Sequence, residues 1–282
     1  MLLRLRSMLL TALLLSLPVT VPATAQTTGQ SPQKKIAPDR CLALASGPRV
    51  PSLVQKAAAT PGKLAPYQVR VTFLGHATML IESPKGIKAA TDYSLPIPEP
   101  NLPDIVTMNI AHASHWTDTP QPEIKHVLRG WDTATGASLH DLVVEDMRVR
   151  NVPTNIRSWD GETREYGNSI FVFEVGAMCM AHLGHLHHTL TPQQLANIGQ
   201  MDVVFAPVDG SFTLDYPGLR EVLKAMNPRY IIPMHYFSTF TLERFLSTAR
   251  ADYKVTMNPS ATIVLSKDRM PAKTEIVVLP GF

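Results

Sequence analysis

The spacing of apolar and polar residues predicts that the folded region of the chain begins with short strands. Residues 68–74 alternate between apolar and polar positions, and residues 77–82 and 87–91 are apolar runs on either side of the turn sequence Ser83-Pro84-Lys85-Gly86. Similar runs predict further strands over residues 104–110, 147–152, 168–175, 178–181, 203–206, 230–233, 262–265 and 275–279.

Helical patterns are clearest in the second half of the chain. Thr191, Pro192 and Gln194 supply an N-cap, a first-turn proline and a capping-box partner, and Gly199 ends the helix that they begin. Residues 217–226 and 242–249 have the period of amphipathic helices. Because these helices alternate with buried strands and no short-period repeat is present, we expect one layered α/β domain over residues 67–282.

The first 25 residues have the three parts of a secretory signal peptide. Arg4 and Arg6 precede an apolar run over residues 8–21, and Ala23 and Ala25 mark the expected cleavage point. A membrane anchor is the alternative, but the run is shorter than the roughly 18–20 residues that span a bilayer. We therefore expect a periplasmic or secreted protein, with no stable membrane insertion after cleavage and with residues 26–66 as an arm on the domain.

Composition and cysteine content narrow the class of protein. The chain has 282 residues, 45% hydrophobic and 17% charged, which are proportions of a folded globular protein. Its net charge of +3 gives no basis for a nucleic-acid partner. Cys41 and Cys179 are too few for a disulfide framework and lack zinc-finger spacing, so they are either one disulfide or two inert thiols.

Ten histidines carry the clearest chemical signal, because most of them directly follow predicted strands. Loops at strand ends converge in layered α/β folds, and neutral imidazole is the commonest metal ligand among side chains. The isolated His126 and His140 are interpreted as surface or hydrogen-bonded residues. The remaining histidines therefore predict a metal site, and they are His76, His112, His115, His182, His185, His187, His188 and His235.

From about Val71 to Phe237 the chain resembles the metallo-β-lactamase superfamily, in the branch that looks like ascorbate-phosphate lactonase and the phospholipase-D-type phosphodiesterases. The resemblance rests on segments in the family's order: residues 73–78 (FLGHAT), 91–92 (TD), 103–106 (PDIV), 168–174 (NSIFVFE), 182–184 (HLG), 202–208 (DVVFAPV) and 232–236 (IPMHY). It implies an α/β fold of four layers, an αββα sandwich, with a metal site at one edge of the two sheets.

The metal ligands are where the sequence departs from the resemblance. The family pattern HxHxDH falls on Ile110, His112, Ser114 and His115, and a later family histidine falls near Ile156. The bridging aspartate of the family is replaced by His185, and the last ligand, His235, is unchanged. Isoleucine cannot coordinate a metal, so we expect one of two metal positions to be lost. The remaining ligands predict one zinc ion, or another divalent metal, on His112, His115, His185 and His235.

Further residues are assigned to catalysis and to the substrate pocket. Asp92 matches the family's strand-end aspartate and is expected to orient a ligand histidine. His188 is assigned to proton transfer or phosphate contact, and His76 and His182 to the pocket, with a structural role equally open for all three. Asp209 and Tyr236 are also assigned to the pocket, although Asp209 would serve equally as a ligand orienter or a turn residue.

Two functions from different classes remain. The first is an exported metal-dependent hydrolase that uses metal-activated water on a small-molecule ester, lactone or phosphodiester. The second is a non-catalytic periplasmic binding or assembly protein that keeps the fold, because fold alone does not imply function. Antibiotic hydrolysis is a weaker third, since the resemblance is to the lactonase-like branch.

Overall fold

The computed structural model describes residues 41–42, 62–158 and 160–281. The expected signal peptide, residues 1–25, and most of the expected arm, residues 26–66, lie outside this part of the chain. Within the described residues, none of the helices is both long and apolar enough to cross a lipid bilayer.

Fourteen strands, three complete α-helices and one short 3₁₀ helix are present in the described residues, and Cys41 and Leu42 are also helical. The first seven strands are β1 (Gln68–Gly75), β2 (Thr78–Glu82), β3 (Lys88–Ala90), β4 (Ile105–Met108), β5 (His126–Arg129), β6 (Asp141–Val144) and β7 (Met147–Arg157). The next elements are β8 (Thr163–Val175), β9 (Met178–His182), α1 (Pro192–Ile198), β10 (Val203–Pro207), α2 (Tyr216–Met226), β11 (Tyr230–Met234) and α3 (Thr239–Ala249). The chain then forms β12 (Lys254–Met257), β13 (Thr262–Ser266), the 3₁₀ helix Lys267–Arg269 and β14 (Glu275–Val278).

The strands form two mixed sheets. The six-stranded sheet has the order β13-β1-β2-β3-β4-β5, and the eight-stranded sheet has the order β12-β14-β11-β10-β9-β8-β7-β6. Strand β10 runs parallel to both of its neighbours, β9 and β11. All five of its residues are buried, which explains a continuous apolar run in place of alternation.

The two sheets pack face to face around a shared apolar core. Val71 and Phe73 of β1 belong to the same buried cluster as Phe171 and Phe173 of β8 and Phe205 of β10. Burial of these side chains between the sheets supplies the main hydrophobic stabilisation of a sandwich. The strand ends that carry the histidines are thereby held on a rigid scaffold.

The three helices cover the outer face of the eight-stranded sheet. Ile198 of α1, Leu219 of α2 and Phe245 of α3 pack in one buried cluster with residues of β8 to β11. Helix α1 begins with the capping box predicted from Thr191 and Gln194. On the outer face of the six-stranded sheet, the described residues place loops where the sequence-based expectation has a second helical layer, and these loops contribute Tyr93, Ile97 and Ile124.

Three strands escaped the sequence analysis, and each lies at the edge of a sheet. They are β5, β6 and β12. Each has four residues, and at most one of these is fully buried. An edge strand has neighbours on one side only, so its sequence does not need the apolar run or the strict alternation that marks a buried strand.

Cys41 and Cys179 form a disulfide, which decides between the two alternatives left open by the sequence. Both residues are buried, and Cys179 lies in β9. The backbone N–H of Gln200 donates to the carbonyl oxygen of Cys41 at 3.2 Å, so the segment at Cys41 is also held at the end of α1. Structural disulfides persist in oxidising compartments and are rare in the cytosol of mesophiles.

Removal of this disulfide is expected to destabilise the domain. The bond closes a loop between residues separated by 138 positions, and loss of such a cross-link lowers the free energy of unfolding by about 2–5 kcal/mol. The measurement is guanidinium unfolding of the wild type with and without reductant, alongside a Cys41→Ala/Cys179→Ala double variant. An unfolding midpoint that does not change in either experiment contradicts this prediction.

Candidate metal centre

The candidate metal centre is built where parallel strands of both sheets end. Strands β3 and β4 run parallel, so Asp92 after β3 lies beside the loop over residues 109–115 after β4. In the other sheet, β9, β10 and β11 run parallel, and His185, Asp209 and His235 follow their neighbouring carboxyl ends. The strand order therefore brings residues that are far apart in the sequence to one edge of the sandwich.

Five histidine rings gather at this edge: His76, His112, His115, His185 and His235. Ring centroids are 4.3 Å apart for His76 and His235, 4.4 Å for His112 and His115, and 4.7 Å for His185 and His235. One nitrogen from each of His76, His112, His115 and His235 lies within 4.8 Å of the others. This group contains three of the four ligands assigned from the sequence, with His76 in the place assigned to His185.

Asp92 fixes the orientation of His115. Its Oδ2 lies 2.5 Å from Nδ1 of His115, and the Nδ2 amide of Asn109 donates to its Oδ1 at 2.9 Å. Burial by itself raises the pKa of Asp92, but the neighbouring His115 and His182 and these hydrogen bonds outweigh it and lower the pKa below its ordinary value. An ionised carboxylate accepts only, so Nδ1 of His115 carries the proton and Nε2 presents a lone pair.

Asp209 fixes His235 in the same way. Its Oδ2 lies 3.0 Å from Nδ1 of His235, and its Oδ1 accepts from the backbone N–H groups of Ser211, Phe212 and Thr213 at 2.9, 2.5 and 3.1 Å. Burial raises the pKa of Asp209, but these hydrogen bonds outweigh it and hold the pKa well below its usual range. In the neutral ring, Nε2 of His235 therefore also presents a lone pair.

The geometry of the His115 and His235 rings shows whether the site fits a metal ion. The Nε2 atoms of His115 and His235 lie 3.2 Å apart in a buried setting. When both rings are neutral, with Nδ1 protonated toward the aspartate, neither has a proton on Nε2 to donate to the other. Two facing lone pairs repel each other unless a cation lies between them. Tetrahedral zinc with bonds of about 2.0–2.1 Å places two ring nitrogens about 3.3 Å apart. The spacing and the chemistry of this pair fit such an ion.

Ser114 links two further rings of the group. Its Oγ lies 2.8 Å from Nδ1 of His112 and 2.8 Å from Nε2 of His76. The sequence marked Ser114 only as a lost family ligand, because serine replaces an aspartate there. In the structure its hydroxyl oxygen can accept from Nδ1 of His112, which leaves Nε2 of His112 as a lone pair for a metal.

His185 is held differently from the other four rings. The backbone N–H of Arg157 donates to Nδ1 of His187 at 2.7 Å, so the neutral His187 ring carries its proton on Nε2. That proton is donated to Nδ1 of His185 at 2.5 Å, and neutral His185 therefore carries its own proton on Nε2. This Nε2–H lies 3.0 Å from Nε2 of His112. The ring of His185 thus presents a donor to the centre of the cluster, whereas the sequence assigns it as a metal ligand.

Burial keeps most of these rings neutral. Burial, followed by the neighbouring His235, His115 and His112, lowers the pKa of His76 to about 3. Burial likewise lowers the pKa of His112 to about 4 and that of His187 to about 4. Burial and the surrounding histidines lower the pKa of His185 far below its ordinary value. Neutral imidazoles have the free lone pair that metal coordination needs.

The backbone at the centre adopts conformations that are rare for non-glycine residues. His76, Asp92 and His235 have φ values of 50°, 42° and 55°, in the left-handed region. Such conformations cost free energy and concentrate at functional sites. Gly184 at φ 60° is required beside Asn168, because a Cβ there would approach the Asn168 Oδ1 to 2.4 Å.

His182 and Tyr236 were assigned to the pocket from the sequence, and the structure buries His182 fully and Tyr236 partly. His182 is fully buried, and its Nε2 lies 2.8 Å from the carbonyl oxygen of Ala77, to which it donates. The hydroxyl of Tyr236 donates to the carbonyl oxygen of Leu279 at 3.0 Å, and its ring packs on Phe73 with centroids 5.8 Å apart. Both residues therefore pack beneath the metal centre and do not line the cavity.

The other assigned residues divide between the centre and its surroundings. Asp92 and Asp209 each hold a ligand histidine, and Asp209 is only 2% exposed, which places it behind His235 and away from a pocket surface. His76 lines a cavity as well as belonging to the cluster. His188 packs beside His187, with ring centroids 6.4 Å apart, on the far side of His187 in the sequence from the central ring of His185.

Sequence reasoning missed the supporting polar residues of the centre. Asn109 donates to Asp92, and its Oδ1 accepts the backbone N–H of Ser169 at 2.7 Å, so it ties the two sheets together. The Oδ1 of Asn168 accepts the backbone N–H of His185 at 2.8 Å. Asn168 lies inside one predicted strand and Asn109 inside another. The only signal in the sequence was an amide side chain within a segment that was otherwise expected to be buried and apolar.

A cavity of about 460 Å³ adjoins the cluster. His76 and Ser114 belong to its lining, so one wall is shared with the metal centre. The rest of the lining comes from the end of β1, from β2 and from the loop after Asp92, and the lining residues together are Leu74, Gly75, His76, Thr78, Ser94, Leu95, Pro96, Ile97, Pro98, Asn101 and Ser114.

A face-to-face β-sandwich with carboxylate-oriented histidines at its strand ends is the arrangement of the metallo-β-lactamase superfamily. The family described as "Beta-lactamase superfamily domain" matches residues 70–235, and the chain belongs to this family. The expected superfamily and the expected α/β sandwich are thereby confirmed, with loops of the described residues in place of the helical layer expected over the six-stranded sheet.

Relatives with known names agree with this class. The chain is 26% identical over 196 residues to a UPF0173 metal-dependent hydrolase of Carboxydothermus hydrogenoformans, which covers 60% of this chain and 84% of the relative. It is 28% identical over 163 residues to a UPF0173 metal-dependent hydrolase of Thermoplasma acidophilum, covering 52% and 71%. A solved structure from Thermotoga maritima, assigned to zinc-dependent hydrolases of the metallo-β-lactamase superfamily, matches with 28% identity and a TM-score of 0.55, covering 76% of this chain and 100% of that one.

Proposed function

We propose that this protein is a hydrolase with one zinc ion, held by His112, His115 and His235, that acts on a small-molecule ester, lactone or phosphodiester. The observation that carries the proposal is the buried Nε2 pair of His115 and His235, 3.2 Å apart, with each ring anchored by an aspartate. Three protein ligands leave a coordination position for water, which is typical of catalytic zinc.

The choice of zinc rests on donor chemistry and on one relative. All three proposed ligands are imidazole nitrogens, which zinc accepts readily. The Thermotoga maritima protein to which this chain is similar is described as zinc-dependent. When bound, zinc would lower the pKa of a coordinated water and polarise the substrate oxygen.

The chain's own residues supply positioning and hydrogen bonds. Asp92 and Asp209 hold the ligand rings so that their lone pairs converge. His185 directs its Nε2–H into the same space, and coordination by His112 would free this donor for an oxygen of the substrate. We therefore assign His185 to substrate positioning. His76 and Ser114 would face the substrate from the cavity side.

The disulfide supports the proposal that the protein acts outside the cytosol. A buried Cys41–Cys179 bond is typical of compartments where thiols are not continually reduced. This agrees with an exported protein that has lost its signal peptide, residues 1–25. Periplasmic or secreted location therefore forms part of the proposal.

Chelation tests the proposed function directly. Prolonged dialysis against a chelator is expected to abolish turnover on a panel of 4-nitrophenyl esters, lactones and bis(4-nitrophenyl) phosphate, and one equivalent of zinc is expected to restore it. Thermal unfolding of both forms serves as the control for the fold. Metal-dependent stability without turnover on any substrate would favour the binding or assembly protein, which the isoleucines at positions 110 and 156 also fit.

A further inference from the structure

The cavity beside the metal centre is uncharged. None of its lining residues has a charged side chain, apart from the titratable imidazole of His76. The loop after β3 contributes Leu95, Pro96, Ile97 and Pro98, so one wall is largely apolar. A volume of about 460 Å³ is within the range of small-molecule sites.

Exposed apolar side chains continue this surface past His76. Leu95 is 74% exposed, and Phe212 and Phe237 are 63% and 56% exposed. Phe237 contacts His76 and Phe212, with ring centroids 5.7 Å apart in both pairs. Contiguous exposed apolar groups at a site are typical of ligand contact, whereas scattered ones need no explanation.

The backbone that carries Phe212 is firmly held. Its N–H donates to Asp209 Oδ1 at 2.5 Å, and the guanidinium of Arg157 donates to the carbonyl oxygens of Phe212 and Thr213 at 3.4 and 2.9 Å. An exposed phenylalanine on a fixed backbone is already placed for contact, so binding costs little ordering entropy.

The hydrogen bonds of Arg157 also indicate which substrate charge the cavity favours. A phosphodiester is anionic and is normally bound by arginine or lysine side chains. The lining contains neither, and the guanidinium of Arg157 is engaged with the loop carbonyls. The lining of the cavity, as distinct from the metal position, therefore favours a neutral group over an anionic one.

We propose that the substrate is an uncharged carboxylic ester or lactone whose apolar acyl chain occupies the cavity between Leu95 and His76. This inference rests on the hydrolase function proposed above and narrows it. In the reaction, a water oxygen bonds to the carbonyl carbon and the acyl–oxygen bond breaks. An ester gives a carboxylic acid, which loses its proton at neutral pH, and an alcohol, whereas a lactone gives a single hydroxy acid that carries both groups.

A chain-length series on the zinc-loaded protein tests the proposal. The substrates are 4-nitrophenyl acetate, butanoate and octanoate, with bis(4-nitrophenyl) phosphate as the anionic comparison. Burial of each methylene is expected to raise kcat/KM by roughly fourfold until the cavity is filled, and the phosphodiester is expected to be the poorest substrate. Equal kcat/KM values along the series, or a preference for the phosphodiester, would overturn the proposal.

A pair of surface variants provides the matched control. Leu95→Glu places a charge at the cavity and is expected to lower kcat/KM for octanoate by about tenfold or more while changing acetate less than about twofold. Met257→Glu makes the same change on edge strand β12, where Met257 is 61% exposed, and is expected to leave the whole series unchanged. The same loss for acetate and octanoate in Leu95→Glu would count against an acyl chain in this cavity.

Calorimetric binding of N-methyloctanamide, whose eight-carbon acyl chain matches that of the octanoate ester, separates failure of this inference from failure of the hydrolase function. Binding that Leu95→Glu weakens, in a protein with no esterase activity, would support the apolar cavity and refute the hydrolase. Phosphodiesterase activity with no binding of the amide would support the hydrolase and refute the apolar substrate.

Discussion

Replacement of His235 by alanine is expected to leave a folded protein that no longer retains a metal ion. His235 supplies one of the two facing Nε2 lone pairs, and alanine has no donor atom to replace it. The metal content should fall from about one ion per chain to near zero, and turnover should fall with it. The measurements are elemental analysis and esterase activity, with circular dichroism to verify the fold.

Two further histidine variants make this result specific. His126→Ala changes a half-buried histidine on edge strand β5 and is expected to keep full metal content. His185→Ala is expected to keep the metal but to lose turnover, because His185 presents Nε2–H and acts on the substrate. Loss of metal in His185→Ala would instead support the assignment of His185 as a metal ligand, as made from the sequence. Retention of metal in His235→Ala would contradict the site altogether.

Asp209→Asn is expected to weaken metal binding with a much smaller effect on the fold. The asparagine Oδ1 still accepts the backbone N–H groups of Phe212 and Thr213, but its amide would face Nδ1 of His235. That contact favours the tautomer with the proton on Nε2 of His235, which removes the lone pair. Metal affinity should fall by about 10–100-fold, as for other residues that orient ligand histidines.

Competition with a fluorescent zinc chelator measures this change in affinity. Asp118→Asn, at an exposed position, provides the control and should bind zinc as the wild type does. Asp92→Asn should act in the same direction as Asp209→Asn, because Asp92 holds His115 by the same kind of contact. Unchanged zinc affinity in both asparagine variants would show that carboxylate orientation does not set the metal site.

Much of the fold follows from local sequence signals. The buried strands β9, β10 and β11 stand out as apolar runs, and α1 is marked by its capping box, because these signals need only neighbouring residues. The edge strands β5, β6 and β12 depend on pairing with one distant strand and leave little pattern. The loop layer over the six-stranded sheet depends on tertiary packing and has no periodic signal at all.

The gathering of the histidines is predictable from the sequence, but their orientation is not. Strand-end position predicts that His112, His115 and His235 lie close together, because parallel strands bring their carboxyl ends together, and their assignment as metal ligands stays a prediction. The tautomer of His185 depends on a backbone N–H from Arg157, which acts through His187. No spacing rule encodes such a contact between β7 and the loop after β9.

The metal content of the protein purified without added metal tests the central claim most directly. Elemental analysis is expected to give about one zinc ion per chain, as three ligand histidines around a single position require. Two metal ions per chain would mean that the second position survives despite Ile110 and Ile156. Absence of any metal ion would contradict a metal-dependent hydrolase.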